Sequence, residues 1–175
     1  KYKPTRDTRI IITNQKKYLA IPETCKLTVY KCDERKDIVN FQEPIYIFNF
    51  GLDKKREEII DYDVKDNIAA AVLLHKGKNN QLSYSIEIKN ESGSRSYRFT
   101  QDNPNSILER PRSIKLIRHK NEEGEERLYC LVGCYRGAVY TIDCGTDLEE
   151  AAVTNINGFL TLDKRIRSSG NSEKH

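Results

Sequence analysis

Three segments of the chain repeat one order of elements, and this repetition limits the fold more than any other feature. Each contains an apolar run, a short polar break, a second run, a turn and a third run, at residues 9–32, 57–90 and 113–144. Apolar and polar side chains alternate within the runs, which is the pattern of β-strands. No segment sustains the periodicity of an amphipathic helix, so the sequence predicts an all-β protein.

The third runs of the three segments are evenly spaced. Tyr30, Ile86 and Ile142 occupy comparable places and are 56 residues apart in each case. Several strands repeated at such a spacing are typical of the blades of a β-propeller. Three shorter strand-like stretches follow the segments, and each is predicted to open the next blade; they lie at 46–50, 97–100 and 159–162.

One detail of this alignment is inconsistent. Ile86 and Ile88 alternate with the opposite parity to Val139 and Thr141 of the third segment. A slip of one residue turns every side chain to the other face of a sheet. Either a β-bulge interrupts the middle segment, or the alignment is wrong by one residue.

The end of the third segment resembles the end of a WD40 repeat. Such repeats commonly close with glycine, any residue, an aliphatic residue, any residue, an aliphatic residue, tryptophan and aspartate. The residues in those places here are Gly137, Val139, Thr141, Ile142 and Asp143. In the first segment Leu27, Val29 and Tyr30 fit the same frame, with Lys31 in place of the aspartate. The chain contains no tryptophan, so isoleucine or tyrosine stands where the family has that residue.

The resemblance implies a WD40-like β-propeller portion of about three blades at residues 1–163, followed by a polar tail at 164–175. A propeller normally closes with four to eight blades, so further blades are expected in a longer chain or in a partner. The chain lacks methionine, also at position 1, which favours a piece of a longer protein. Gly137 is expected to take a positive φ in the turn before the last strand, so its replacement by valine is expected to be costly. Across this turn, Leu128, Cys130 and Val132 are expected to pair with Val139 and Thr141.

The resemblance also implies a non-catalytic scaffold that mediates protein–protein interactions in a multi-subunit complex. Propellers bind partners through loops at the ends of a rigid ring. The residues expected in such exposed turns are Lys76, Lys78, Asn79, Tyr135 and Arg136. We expect protein partners, no membrane, no small-molecule substrate and a nuclear or cytoplasmic location, since no apolar run is long enough to span a bilayer.

The candidate chemical groups favour neither an enzyme nor a cofactor site. Asp61 and Asp63 alternate with Ile60, Tyr62 and Val64, which is typical of a half-exposed strand with a solvated acidic face. Neither His75 nor His119 stands in a metal-like or nucleophile-activating pattern. The five cysteines lack zinc-knuckle spacing and are expected to be reduced packing residues.

The alternative hypothesis is a self-contained β-barrel or sandwich that binds nucleic acid. The chain carries 30 basic and 26 acidic residues, and this net charge of +4 permits such binding without requiring it. Basic side chains and exposed aromatic rings would provide phosphate contacts and base stacking. The residues proposed for this role are Tyr97, Arg98, Phe99, Arg112, Lys115 and Arg118. The neighbouring acidic stretch at 122–126 favours neutralisation of this basic strand instead.

Overall fold

The computed structural model confirms the all-β class for the part of the chain that it describes. By number, the described residues are 7–13, 16–33, 38–39, 41, 43–51, 53, 55–79, 81–100, 110–135 and 139–148. They form three antiparallel sheets and contain no helix. Within these ranges, accordingly, no helix has the length and apolar character needed to cross a membrane.

In each sheet the first three strands form an antiparallel meander, in which each strand pairs with the next. Sheet 1 contains β1 (Arg9–Thr13), β2 (Lys16–Glu23) and β3 (Lys26–Asp33), with β4 (Ile38–Val39) and β5 (Tyr46–Asn49) both paired to β3. Sheet 2 contains β6 (Glu57–Lys65), β7 (Ile68–Lys76), β8 (Leu82–Asn90) and β9 (Ser96–Thr100). Sheet 3 contains β10 (Pro111–Lys120), β11 (Glu126–Cys134) and β12 (Val139–Asp143).

The third runs of the sequence segments are the third strands of the three sheets, but the stretches after them do not open new sheets. The stretch at 46–50 contains β5, which pairs with β3, and the stretch at 97–100 lies in β9, which pairs with β8. Both therefore end their own sheet, and this prediction is wrong. A short connection returns the chain to the nearest free strand edge, as the turn at 91–95 does between β8 and β9. The third stretch, 159–162, lies outside the described residues.

The first strands of the three sheets lie beside one another. Their contacts repeat at separations of 52 or 53 residues and advance together along the strands, so β1, β6 and β10 run in the same direction. The hydrogen-bonded pairs are Arg9–Asp61, Thr13–Asp66, Asp61–Ile114, Asp63–Leu116 and Asp66–Arg118. Because the sheets share this orientation, the turns between second and third strands lie at one end of the stack, which we call the turn end.

The sheets stack face to face, with two apolar layers between them. We call the face of a sheet that points to the next sheet along the chain its front, and the opposite face its back. The layer between sheets 1 and 2 contains Ala20, Leu27, Val29, Phe48, Tyr62, Val64, Ala69, Ala71 and Leu73. The layer between sheets 2 and 3 contains Ile68, Ala70, Val72, Ile86, Ile88, Ile114, Leu116, Leu128, Cys130, Val132, Ile142 and Cys144.

The central position of sheet 2 explains the longest apolar run of the sequence. β7 begins Ile-Ala-Ala-Ala-Val-Leu, and these six residues are all buried. Ala69 and Ala71 face sheet 1, while Ala70 and Val72 face sheet 3. A strand covered on both faces needs apolar residues at successive positions, and the small alanine side chains let both neighbouring sheets approach.

The 56-residue alignment of third strands is wrong by one residue. Ile86 of sheet 2 and Ile142 of sheet 3 meet in the same apolar layer, so Ile86 points forward and Ile142 points back. β8 pairs with both neighbours without a register shift, which excludes a bulge in that strand as the cause. The bulges lie instead in first strands, between Ile59 and Asp61 and between Pro111 and Ser113.

The predicted hairpin of β11 and β12 forms, but with a different register. Val139 lies opposite Gly133, and Thr141 lies opposite Leu131. The sequence had suggested pairing of these two residues with Leu128, Cys130 and Val132, which point to the other face. Gly137 and the cost of its replacement by valine lie outside the described residues.

All five cysteines are buried, as expected for packing residues. Burial, then the neighbouring Cys144 and Asp63, raises the pKa of the Cys130 thiol well above its ordinary value. The pKa of Cys144 is raised to about 12, mainly by burial and further by the nearby Asp143. A hydrogen bond with the Cys130 backbone acts in the opposite direction. The thiolate is the reactive form of cysteine. Both thiols are therefore protected from modification in two ways: reagents cannot reach them, and they stay protonated.

We expect Cys130 and Cys144 of the native protein to resist alkylation. Iodoacetamide at mildly alkaline pH should leave both unmodified in peptide mass spectra and should modify both after unfolding in guanidinium chloride. Rapid native modification of either residue would show that the layer between sheets 2 and 3 opens readily.

Candidate functional site

A largely buried group of polar side chains lies on the back of sheet 2, near the turn end. We call it the junction cluster; it consists of Glu57, His75, Ser85, Glu87 and Arg98. Strand pairing creates it, because Glu57 lies opposite His75 in the β6–β7 ladder and Glu87 lies opposite Arg98 in the β8–β9 ladder. Ser85 and Glu87 alternate with Ile86 and Ile88, so their face would be exposed if sheet 1 did not cover it.

His75 is held between an acid and a hydroxyl group. Its Nδ1 lies 2.7 Å from Glu57 Oε1, and its Nε2 lies 2.7 Å from Ser85 Oγ. The network assigns a neutral imidazole that donates from Nδ1 to the carboxylate and accepts at Nε2 from the hydroxyl.

Arg98 joins the two carboxylates of the cluster. Its Nη2 donates to Glu57 Oε1 over 2.6 Å, and its Nη1 lies 3.9 Å from Glu87 Oε2. The same carboxylates reach the segment that follows β5: the backbone N–H of Gly51 donates to Glu87 over 2.9 Å, and that of Asp53 donates to Glu57 over 3.2 Å. The junction cluster therefore links sheet 1 to sheet 2.

The order serine, histidine, glutamate is also the order of groups in a hydrolase triad, but its surroundings do not suit catalysis. Ser85 is only 2% exposed, whereas a nucleophile must meet its substrate. Arg98 Nη2 lies 3.1 Å from His75 Nε2, and this cation opposes the imidazolium that a general base must form. The arrangement supports a structural role for these groups.

The surroundings of His75 lower its pKa from the ordinary value of 6.5. Burial is the largest cause and Arg98 acts in the same direction, while Glu57 and Glu87 oppose them. As the pH falls below about 6.5, the unfolded chain takes up its proton before the folded chain does. The stability contributed by neutral His75 is thus present above that pH and is lost as the pH falls toward the folded-state pKa.

We expect the free energy of unfolding to decrease between pH 6.5 and pH 5, and the substitution His75→Gln to make this decrease shallower. Urea titrations at several pH values measure the slope. His119→Gln, which replaces an exposed histidine outside the junction cluster, serves as the control. An identical slope in wild type and His75→Gln would contradict the assignment.

A second polar group, which we call the acidic strip, consists of Asp61 and Asp63 on β6 and Asp66 in the turn that follows it. It corrects the prediction of a solvated acidic face. Asp61 and Asp63 are buried. The register shift after Ile59 leaves Ile60 against the layer between sheets 2 and 3, while Tyr62 lies in the layer between sheets 1 and 2. The residues predicted to share a face therefore separate.

The acidic strip supplies acceptors to the edge of the neighbouring strand β10. Asp61 Oδ2 accepts from the N–H of Ile114 over 2.7 Å, and Asp63 Oδ2 accepts from the N–H of Leu116 over 2.8 Å. A first strand has a free edge, and these carboxylates pair N–H groups that burial would otherwise leave unsatisfied. Burial alone would raise the pKa of Asp66, but hydrogen bonds from Arg118 and Thr13 lower it overall.

The residues predicted to bind protein partners lie in turns at the turn end, as far as the structure describes them. Lys76, Lys78 and Asn79 are exposed at the β7–β8 turn, and Tyr135 is exposed after β11. The backbones of Lys76 and Tyr135 bond to Arg56 and Arg110, which precede the first strands of their sheets. Arg136 lies outside the described residues.

The residues proposed for nucleic-acid binding do not form one basic surface. Arg98 is engaged in the junction cluster, and Arg118 Nε donates to Asp66 over 2.9 Å. Lys115 is exposed but lies 3.2 Å from Asp63.

The aromatic residues of that hypothesis are also dispersed. Tyr97 packs against the layer between sheets 2 and 3. Arg112 is exposed and lies 5.3 Å from the ring centre of Tyr135. The side chain of Phe99 lies outside the described part of the chain.

The described residues contain no group of three or more histidine, cysteine, aspartate or glutamate side chains that could hold a metal ion.

Comparison with protein-family models, curated proteins and solved structures finds no match for this chain.

Proposed function

We propose that this chain is a blade-bearing portion of a WD40-like β-propeller and acts as a non-catalytic scaffold for protein–protein interactions. One observation carries the proposal: successive antiparallel meanders stack front to back with their first strands side by side, at repeated separations of 52 or 53 residues. A propeller places meander sheets around an axis lined by first strands. The local WD40-like frame at Val139–Asp143, in β12, agrees with this architecture.

The polar groups between the sheets favour a structural role, in which they hold the sheets together, over a role as a reactive centre. The junction cluster joins sheet 1 to sheet 2, and the acidic strip joins sheet 2 to sheet 3. Both are enclosed by strands, so their hydrogen bonds fix the relative positions of the sheets. A rigid body of this kind presents turns to partners without large rearrangement.

The turn end is the proposed contact surface, with Lys76, Lys78, Asn79 and Tyr135 as its described residues. Cationic side chains and an aromatic ring at the same end of the stack suit an acidic partner surface with an apolar contact. Because these side chains lie in turns, their substitution is expected to change binding more than folding.

Affinity purification with matched variants tests this role. The turn-end variant combines Lys78→Glu with Tyr135→Ala, and the control combines Glu122→Lys with Glu123→Lys in the β10–β11 turn at the opposite end. We expect one or more proteins to be retained by wild type and control and lost by the turn-end variant. If every retained protein is indifferent to the turn-end variant, the proposed contact surface is wrong.

A salt titration distinguishes the scaffold from the nucleic-acid hypothesis. Fluorescence anisotropy with labelled single-stranded RNA and DNA should show only weak binding by the scaffold. Tight binding that falls steeply with added salt would favour the alternative, since that dependence reports neutralised phosphates.

A further inference from the structure

Two arginines at the turn end of sheet 3 differ from every other arginine that the structure describes. The others all pair with carboxylates; they are Arg9, Arg56, Arg95, Arg98, Arg118 and Arg127. Arg110 and Arg112 are exposed, and within the described ranges no carboxylate pairs with either of them. Their positive charges are therefore not neutralised by those parts of the chain.

A β-bulge sets the direction of Arg112. The β10–β11 ladder shifts its register between Pro111 and Ser113, so Arg112 is the extra residue of the bulge. In a regular strand, Arg112 would point in the same direction as Ile114, into the layer between sheets 2 and 3. The bulge instead leaves Arg112 exposed. Bulges often redirect a side chain beside a functional site.

Tyr135 contacts both arginines. Its backbone N–H donates to the carbonyl oxygen of Arg110 over 2.7 Å. The guanidinium carbon of Arg112 lies 5.3 Å from the centre of the Tyr135 ring, and Tyr135 is 46% exposed. Contact with an aromatic ring orders a guanidinium and leaves its N–H groups able to bind an anion. The three residues therefore form an ordered cationic site that is open to solvent, which we call the arginine corner.

We infer that the arginine corner binds a phosphorylated side chain of a partner protein. A phosphorylated side chain carries a charge of about −1.5 to −2 on three oxygens at neutral pH, which matches two guanidinium groups. A carboxylate carries a single negative charge on two oxygens and would leave one arginine without a partner. Arginine clusters are a recurrent means of recognising phosphorylated segments. This inference rests on the proposed scaffold role, because it names the chemical group that a partner brings to the turn end.

An NMR titration of the isotope-labelled protein with a capped pentapeptide tests the site. The peptide has a central phosphoserine between glycine and alanine residues, and matched peptides carry serine or glutamate at that place. We expect saturable shifts of the backbone resonances of Arg112 and Tyr135 with the phosphopeptide. The serine and glutamate peptides should bind about tenfold more weakly or less well still.

Matched variants locate the binding. The double variant Arg110→Gln, Arg112→Gln should raise the dissociation constant of the phosphopeptide about tenfold or more. Arg56→Gln is the control, because Arg56 is also exposed at the turn end but pairs with Asp53; it should leave the dissociation constant unchanged. All these side chains are exposed, so the melting temperatures of the variants should equal that of wild type.

Several results would overturn the inference. These are the absence of saturable binding, equal affinity for the glutamate peptide and the phosphopeptide, and a double variant that binds as wild type does. Tighter binding of a single-stranded oligonucleotide than of the phosphopeptide would also overturn it, since the site would then serve nucleic acid.

The affinity purification proposed above separates failure of this inference from failure of the scaffold role. Partners that survive phosphatase treatment of the lysate, that the double variant retains and that the turn-end variant loses would refute the phosphate site and support the scaffold. A phosphopeptide that binds the arginine corner, together with a wild-type protein that retains no partner, would support the site and refute the scaffold.

Discussion

Replacement of Glu57 by alanine is expected to lower the free energy of unfolding by about 3–5 kcal/mol, the usual cost of removing one partner of a buried ion pair. The Glu57 carboxylate is buried and binds both His75 and Arg98. Without this carboxylate, the Arg98 guanidinium keeps only the longer contact with Glu87, and His75 Nδ1 loses its acceptor. It also removes the acceptor that holds the N–H of Asp53.

Guanidinium titration followed by circular dichroism measures this change, with Glu58→Ala as the control. Glu58 is the adjacent residue, and its pair with Lys76 is exposed, so its replacement should cost no more than about 0.5 kcal/mol. Glu57→Gln keeps an acceptor oxygen and should fall between the two. Equal stabilities of Glu57→Ala and Glu58→Ala would contradict the role assigned to the junction cluster.

Replacement of Asp61 by alanine is expected to cost about 2–4 kcal/mol, because it removes charge-assisted hydrogen bonds on both sides of β6. Asp61 accepts from the guanidinium of Arg9 in sheet 1 and from the buried N–H of Ile114 in sheet 3. Arg9 is partly exposed and can regain water, whereas the N–H of Ile114 cannot. The cost therefore arises mainly at the junction with sheet 3.

The variants Asp61→Asn and Asp147→Ala separate this effect from a general loss of negative charge. Asparagine retains an acceptor for Ile114, so its loss of stability should be clearly smaller. Asp147 is exposed and its pair with Arg95 spans 3.4 Å, so its removal should change stability by no more than about 0.5 kcal/mol. If Asp61→Ala and Asp147→Ala are equally stable in urea titrations, the acidic strip does not cap β10.

Local patterns sufficed to place most strands of the fold. Tyr30, Ile86 and Ile142 all lie in third strands, because alternating side chains and turn residues act over a few positions. The same patterns did not predict the register within the sheets. The bulge after Ile59 separates Ile60 from Tyr62, and no local signal marks it.

The candidate site depended on contacts between distant residues. His75 was an isolated histidine in the sequence, and only the pairing of β6, β7 and β8 brings Glu57 and Ser85 to its ring. Arg98 and Arg118 looked like free basic side chains, yet carboxylates 41 and 52 residues away bind them. Such partners cannot be read from neighbouring positions along the chain.

Alternation along the chain establishes that a strand has two unlike faces, because successive side chains must point in opposite directions. The all-β class and the short meanders follow from that local geometry. Which face is buried depends on whether another sheet covers it, and Asp61, Asp63 and Glu87 are buried only because neighbouring sheets lie on them. Only the stacking of the sheets decides between a solvated acidic face and buried carboxylates, since desolvation and its compensating hydrogen bonds arise when the sheets meet.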